Sequence, residues 1–318
     1  MNKYITCASD LVTSHEQTRA GFIEAALEKN KKSSPFVEQA KTLKVLAGTA
    51  DKPEDLLAMD EIRSLLVTAS GLSDKALQYF TEEDKKEAVK ELIEKFLKPA
   101  GERFVDELVY RFLIVRGDTV GGMMRNFVGL IAKRKVTRKV MTVLDTMSIP
   151  YMVLKKDNRQ RNRWAEMDFI EDYTDADNIA AITWTRNEKN RILFFDTNIP
   201  TVGNNVDICL YDGDAEAFAG GRIVNEDDRA IMFGELKGGI DPAGADEHWK
   251  TGNTALMRIR SAFKEKDITI KTSFVGAAIA NNMADEIWAQ LEDGTLSNAA
   301  NLTSESQFTD YCEWIVKI

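Results

Sequence analysis

The chain has 318 residues, 44% of them hydrophobic, and 42 Lys/Arg against 51 Asp/Glu give a formal net charge of −9; that is enough apolar material for one large core or two modest ones. Three widely spaced cysteines (Cys7, Cys209, Cys312), two histidines and no Cys-x-x-Cys exclude a structural zinc site of ordinary type and fit a reducing compartment. With no basic-then-apolar leader and no apolar run of about 18 residues, the sequence predicts a cytoplasmic protein without a membrane span.

The first 115 residues read as a mainly helical domain. Leu11, Phe22, Ile23, Ala26 and Leu27 give residues 10–30 an apolar stripe, with His15 as a surface or cap residue near its start. A second helix is predicted over 35–47. Asp51, Pro53 and Glu54 mark another helix start, 64–71 ends at Gly71, and Ser73-Asp74 begins the next. Thr81 opens a longer charged helix that turns Val89, Leu92, Ile93 and Phe96 inward and stops at Pro99 and Gly101. Residues 102–115 are apolar on most sides (Phe104, Val105, Leu108, Val109, Phe112, Leu113), as a buried central helix would be.

Gly117-Asp-Thr-Val-Gly-Gly122 reads as a turn between domains, followed by a long helix to about Met147. No Gly-Lys-Ser/Thr follows it, so this is not a P-loop; a helix start can still meet a phosphate backbone, and Arg125 and Asn126 are the candidates there. A plain turn explains the same glycines. From Lys133 to Arg163 ten basic residues (Lys133, Arg134, Lys135, Arg138, Lys139, Lys155, Lys156, Arg159, Arg161, Arg163) face only Asp145 and Asp157, a local excess of eight positive charges. Lys133, Arg134 and Lys135 are therefore candidates for nucleic-acid contact. Two solvated faces would give the same composition.

After Pro150 the period changes from helix to strand. Strands are predicted at 151–155, 179–184, 191–196, 206–211 and 230–237, then a helix from Trp249 to about Lys264, a strand over 268–280, and helices at 283–292 and 307–316. Ser304 and Gln307 are placed to form a capping box for the last helix. The pattern predicts an α/β fold, a mixed sheet flanked by helices, over residues 116–318.

The stretch Ile231-Met-Phe-Gly-Glu235-Leu-Lys237-Gly-Gly-Ile-Asp241, running on to His248, carries the chemistry. Side chains two apart on a strand share a face, so Glu235 and Lys237 lie about 6.6 Å apart along it. A carboxylate and an ammonium so held at the mouth of a buried strand suit phosphodiester hydrolysis. The second carboxylate this needs is Asp207, in the alternating strand Val206-Asp-Ile-Cys-Leu-Tyr211. The triplet alone is weak, because Glu83-Asp84-Lys85-Lys86 supplies two more acid-x-Lys matches on a charged helix, and a salt pair on a polar strand face is the bland alternative. Both strands around Asp207 and Glu235 are apolar enough to be central, where an unpaired charge costs several kcal/mol.

Asp207 followed by Glu235-x-Lys237 resembles the Asp…(Asp/Glu)-x-Lys signature of restriction-endonuclease-like nucleases. The string Glu235-Leu-Lys-Gly-Gly-Ile-Asp-Pro-Ala-Gly-Ala-Asp-Glu-His-Trp-Lys250 is similar to the AvaI/BsoBI family of type II restriction endonucleases. So are Ser70-Gly-Leu-Ser-Asp-Lys75, Arg116-Gly-Asp-Thr-Val-Gly-Gly122 and Val202-Gly-Asn-Asn-Val-Asp-Ile208, and the resemblance covers most of the chain. One departure is that Pro200 lies seven residues before Asp207, so the usual Pro-Asp pair is absent.

The resemblance implies Mg²⁺-dependent double-strand cleavage of a short degenerate palindrome of the CYCGRG type by a homodimer, with residues 116–318 as the catalytic domain and 1–115 embracing DNA or supporting the dimer. It implies Mg²⁺ on Asp207 and Glu235, Lys237 orienting water or phosphate, and His248 as general base. Asp241 and Lys75 are its candidates for base contacts, with a turn former before Pro242 and an exposed helix residue as the plain readings. A cognate DNA methyltransferase is expected in the same host. Two other readings stay open: a structure-specific repair nuclease of the same fold, and a non-catalytic DNA-binding regulator.

Overall fold

The computed structural model describes residues 1–166 and 174–318, apart from the side chains of residues 125, 126, 160 and 161. The chain divides into two compact units, residues 1–22 with 128–318, and residues 23–127.

Residues 23–127 are helical. Helix α1 (His15–Ala47) runs from the first unit into this one; short α2 (Arg63–Ala69) and α3 (Glu82–Leu92) follow, then α4 (Phe104–Thr146), which runs back out. Leu43, Leu66, Leu92, Ile93, Leu97, Leu108 and Phe112 close its core. Ser14 and Gln17 cap α1 reciprocally: the Gln17 N–H donates to Ser14 Oγ at 3.2 Å and the Ser14 N–H to Gln17 Oε1 at 2.7 Å.

Two expectations fail here. The predicted break between 30 and 35 is absent, and α1 passes straight through Pro35. The Ser33 and Ser34 hydroxyls bond the Asn30 carbonyl in that turn. The predicted turn at 117–122 is also absent, since α4 is continuous through it. A glycine in a helix costs about 1 kcal/mol, and here apolar residues on both sides of the segment (Phe112, Val120 and Phe127, all buried) outweigh that preference.

The other unit is the expected mixed sheet between helices. Its strands are β1 (Tyr151–Lys155), β2 (Trp164–Glu166), β3 (Ile179–Arg186), β4 (Lys189–Ile199), β5 (Asn204–Tyr211), β6 (Ala230–Lys237), β7 (Lys271–Gly276) and β8 (Asn298–Asn301). The order is β2-β1-β3-β4-β5-β6-β7-β8, antiparallel as far as β6 and parallel from β6 to β8. Helices α5 (Ala245–Lys264), α6 (Asn281–Glu292) and α7 (Glu305–Lys317) complete it.

Alternation along the central strands divides the core. Cys209, Tyr211 and Phe233 meet Trp249, Leu256, Ile259 and Phe263 of α5 on one face; Ile208, Leu210 and Met232 meet Val136, Val140 and Leu144 of α4 and Tyr311 and Ile315 of α7 on the other. With Ala245 and Gly252 included, the buried α5 residues recur every three or four positions, which places one stripe of that helix on the sheet.

The strand predicted over 268–280 is only Lys271–Gly276, because the chain leaves the sheet after Gly276 to enter α6. Strands β2 and β8 were not anticipated; β8, Asn-Ala-Ala-Asn, lacks branched residues yet is fully buried. Asn301 Nδ2 there donates to the Leu11 carbonyl at 3.0 Å and Thr13 Oγ1 at 2.9 Å, so polar side chains do the anchoring. The capping box expected from Ser304 and Gln307 does not form: Gln307 Oε1 accepts from the Asn301 N–H and its Nε2 donates to the Asp10 carbonyl.

Candidate active site

The site lies where β5 and β6 stop pairing. Their ladder runs from Tyr211 to the pair Ile208↔Gly234. One position further stand Asp207 and Glu235, and there the backbone bond is replaced: the Leu236 N–H donates to Asp207 Oδ2 at 2.8 Å. Asp207 shares a face with Cys209 and Tyr211, and Glu235 and Lys237 share that face with Phe233. All three polar side chains therefore sit on the α5 side of the sheet.

Glu235 is 4% exposed. Lys237 Nζ lies 2.8 Å from Glu235 Oε2 and 3.7 Å from Asp207 Oδ2, so one cation serves two carboxylates. Burial, then the neighbouring Asp207 charge, pushes the Glu235 carboxyl up to about 7, against which Lys237 acts only in part. Burial on its own would lower the Lys237 ammonium, but the combined pull of Glu235 and Asp207 overrides it and raises it above its ordinary value. Lys237 stays charged, and the surplus negative charge falls on Glu235.

That surplus decides what the site can hold. Two converging carboxylates form a hard oxygen donor set with a charge deficit that a divalent cation would remove. Among the described residues no cluster of three His, Cys, Asp or Glu forms a cage. An ion on Asp207 and Glu235 would keep positions for water and phosphate, as Mg²⁺ prefers and Zn²⁺ in a structural site does not.

The chain leaves β6 through Gly238 and Gly239. A Cβ on Gly238 would stand 2.5 Å from the Val128 carbonyl oxygen and 2.8 Å from Ala132 Cβ, so α4 lies directly against this turn. His248, in the first turn of α5, rests its ring against Gly239 and Gly244, and Gly252 one turn later meets the Lys237 stem. The structure thus brings four sequence candidates to one end of the sheet: Asp207, Glu235 and Lys237 from the strands, and His248 from the helix that follows. Asp241 is exposed before Pro242 and accepts the Ala243 N–H at 3.0 Å, the geometry of a turn former.

The basic candidates are placed differently. Lys133 is 7% exposed, with Nζ 3.0 Å from Asp196 Oδ2 and 5.2 Å from the Phe195 ring centroid. Arg134 pairs with Asp177, Lys139 pairs with Glu305, and Lys135 also has a partner. Acids from distant segments therefore offset much of the local basic excess. Lys75 is exposed at the start of a 3-10 turn in the helical unit. The side chains of Arg125 and Asn126 lie outside the described residues. Gly252 also borders the site, and its signal in the sequence is a lone glycine inside an amphipathic helix, which marks close packing.

The whole chain, residues 1–318, matches a family model described as restriction endonuclease BsobI. It is 48% identical over 316 residues to the type II restriction enzyme BsoBI of Geobacillus stearothermophilus, covering 99% of this chain and 97% of that one. The type II restriction enzymes AvaI of Nostoc sp. and of Anabaena variabilis are each 46% identical over 316 residues, covering 99% of this chain and 98% of theirs.

Proposed function

The chain belongs to the BsoBI restriction endonuclease family, and from that premise we propose that it is a type II deoxyribonuclease that cuts both strands of double-stranded DNA at a short degenerate palindrome of the CYCGRG type, with Mg²⁺, as a homodimer. The observation that carries the reading is the gathering of Asp207, buried Glu235 and Lys237 at the fork of β5 and β6. A salt pair alone would leave no surplus carboxylate there.

Asp207 and Glu235 would hold the ion. When bound, Mg²⁺ supplies charge stabilisation at the scissile phosphate and acidifies water. Lys237 acts as a point charge that orients phosphate or the attacking water. His248 would take the proton from that water on a ring nitrogen. Burial of Glu235 and the apolar wall beneath it (Phe233, Trp249, Phe274) keep bulk water from the inner side of the site.

Base recognition belongs to other residues, because phosphate contacts position the protein without naming bases. Asp241 is suited to accept from cytosine N4, and a lysine such as Lys75 that uses only purine N7 tolerates A or G, one route to a degenerate position. Lys133, Arg134 and Lys135 reach a phosphate backbone only by giving up the partners that they have here. A palindrome presents two identical half-sites, which a two-fold dimer matches. The helical residues support the DNA or the dimer, and a cognate methyltransferase protects the host.

Digestion of a linear plasmid tests this. Discrete bands in Mg²⁺, with end sequencing that returns one palindrome, are expected. A smear, or cutting only at mismatches, would point to a repair nuclease. DNA shifted in a gel but intact, with or without Mg²⁺, would point to a regulator.

A further inference from the structure

Three glycines surround His248 and Lys237 at positions where the backbone does not ask for glycine. The left-handed glycines of the chain are Gly71, Gly101, Gly203, Gly220, Gly221 and Gly294; Gly239, Gly244 and Gly252 are not among them. Gly244 sits at φ −97° and ψ −4°, which any residue adopts, and Gly252 lies inside α5, where glycine is a poor helix former.

What these residues omit is a Cβ, and the omitted space is filled by the candidate site. A Cβ on Gly239 would stand 2.9 Å from His248 Nε2 and 3.4 Å from its Cδ2. On Gly244 it would stand 3.4 Å from Nε2 and 3.7 Å from Cδ2. On Gly252 it would stand 3.5 Å from Lys237 Cε and 3.2 Å from Phe274 Cε2. Glycine richness alone does not produce such contacts: Gly117, Gly121, Gly122 and Gly129 of α4 have nothing within 4 Å. Among the described residues the only side chain hydrogen-bonded to His248 is Thr251, whose Oγ1 donates to the His248 carbonyl at 3.0 Å, so no such bond orients the ring. The placement of the imidazole is left to packing against two bare Cα atoms.

We propose that Gly239 and Gly244 form a two-sided seat that sets the His248 imidazole, and that Gly252 opens the slot through which the Lys237 stem reaches Glu235 and Asp207. All three are positioning residues for cleavage. The inference rests on the roles given above to His248 and Lys237, and it extends them to residues with no chemistry of their own.

The test is Gly239→Ala in the full-length protein with Mg²⁺ and a plasmid substrate. The clash falls on the end of a flexible side chain, so the fold accommodates it and the ring moves. A misplaced reacting group loses about 100-fold in rate. Single-turnover cleavage is expected to fall by that order while DNA affinity stays within about twofold, and Gly244→Ala, with its longer contact, is expected to lose less. The chain has two histidines, His15 and His248, so imidazole NMR resolves each; the His248 ring signals should move in Gly239→Ala and those of His15 should not. In a His248→Ala background, Gly239→Ala should cost nothing further.

Unmoved His248 signals, or near-normal cleavage by Gly239→Ala where His248→Ala is slow, would overturn the seat and leave the histidine's role standing. Additive losses in the double variant would also overturn it. A normal rate in His248→Ala itself would instead remove the catalytic reading of the histidine, and the seat's purpose with it.

Discussion

Glu235→Gln offers the sharpest test of whether the polar triplet is a catalytic centre or a salt pair. In the folded protein the Glu235 carboxyl sits at about 7 against an ordinary 4.5, through burial and the adjacent Asp207. Between these values the folded state keeps a proton that the unfolded chain has lost, so stability falls as pH rises through this window and the full penalty is present above it. Each tenfold difference in proton affinity between the two states is worth about 1.4 kcal/mol, which makes the penalty about 3 kcal/mol at pH 8 and about 1 kcal/mol at pH 5. Glutamine has the same shape and no charge, so the penalty disappears. In chelator, urea unfolding at pH 8 should find Glu235→Gln more stable than the parent by up to about 3 kcal/mol, with the gap closing towards pH 5. Mg²⁺ should then raise the stability of the parent and leave the variant nearly unchanged, because only the parent has both charged ligands. A parent more stable than the variant at pH 8 in chelator would refute this reasoning; Glu235 would then be a charged structural partner of Lys237.

Lys237→Ala and Glu235→Gln are both expected to abolish cleavage while specific DNA binding survives in a gel-shift assay, and near-normal cutting by either would remove the assignment. Asp241→Ala should relax discrimination at one base position by roughly 10–100-fold, as loss of one good base contact does; a uniform drop in affinity across sequences would mean that Asp241 only shapes the turn before Pro242. Gly121→Ala should stabilise the protein by about 0.5–1 kcal/mol, since the residue is helical with open space around it; destabilisation in thermal or urea unfolding would mean that the glycine is needed as the sequence first suggested.

The sheet was legible in the sequence for a local reason. Alternation in Val206–Tyr211 and Ile231–Lys237 fixes which residues share a face, and the fork follows once those strands pair. Residue type then singles out Asp207, Glu235 and Lys237, because charges at the end of apolar strands need a purpose. Several of the misses depend on distant partners. Around Gly117–Gly122 the miss is local: Phe112, Val120 and Phe127 stand in plain view, but their burial, which carries the helix through, is not written in the residue types. Nothing near Lys133 reveals that Asp196, sixty-three residues away, takes up its charge. Strand β8 is a strand because Asn301 bonds the segment around Leu11 and Thr13, almost the whole chain length away. Gln307 fits a capping box by spacing, but Asn301 and Asp10 claim its amide.

The bond from the Leu236 N–H to Asp207 Oδ2 bears on how inactive variants are compared. That oxygen is both a prospective ligand and the last stitch of the seam between β5 and β6. Removing it unpicks the seam as well as emptying the site, so loss of cutting in Asp207→Ala mixes architecture with chemistry. Glu235 carries no such stitch, which makes it the cleaner knock-out of the two acids.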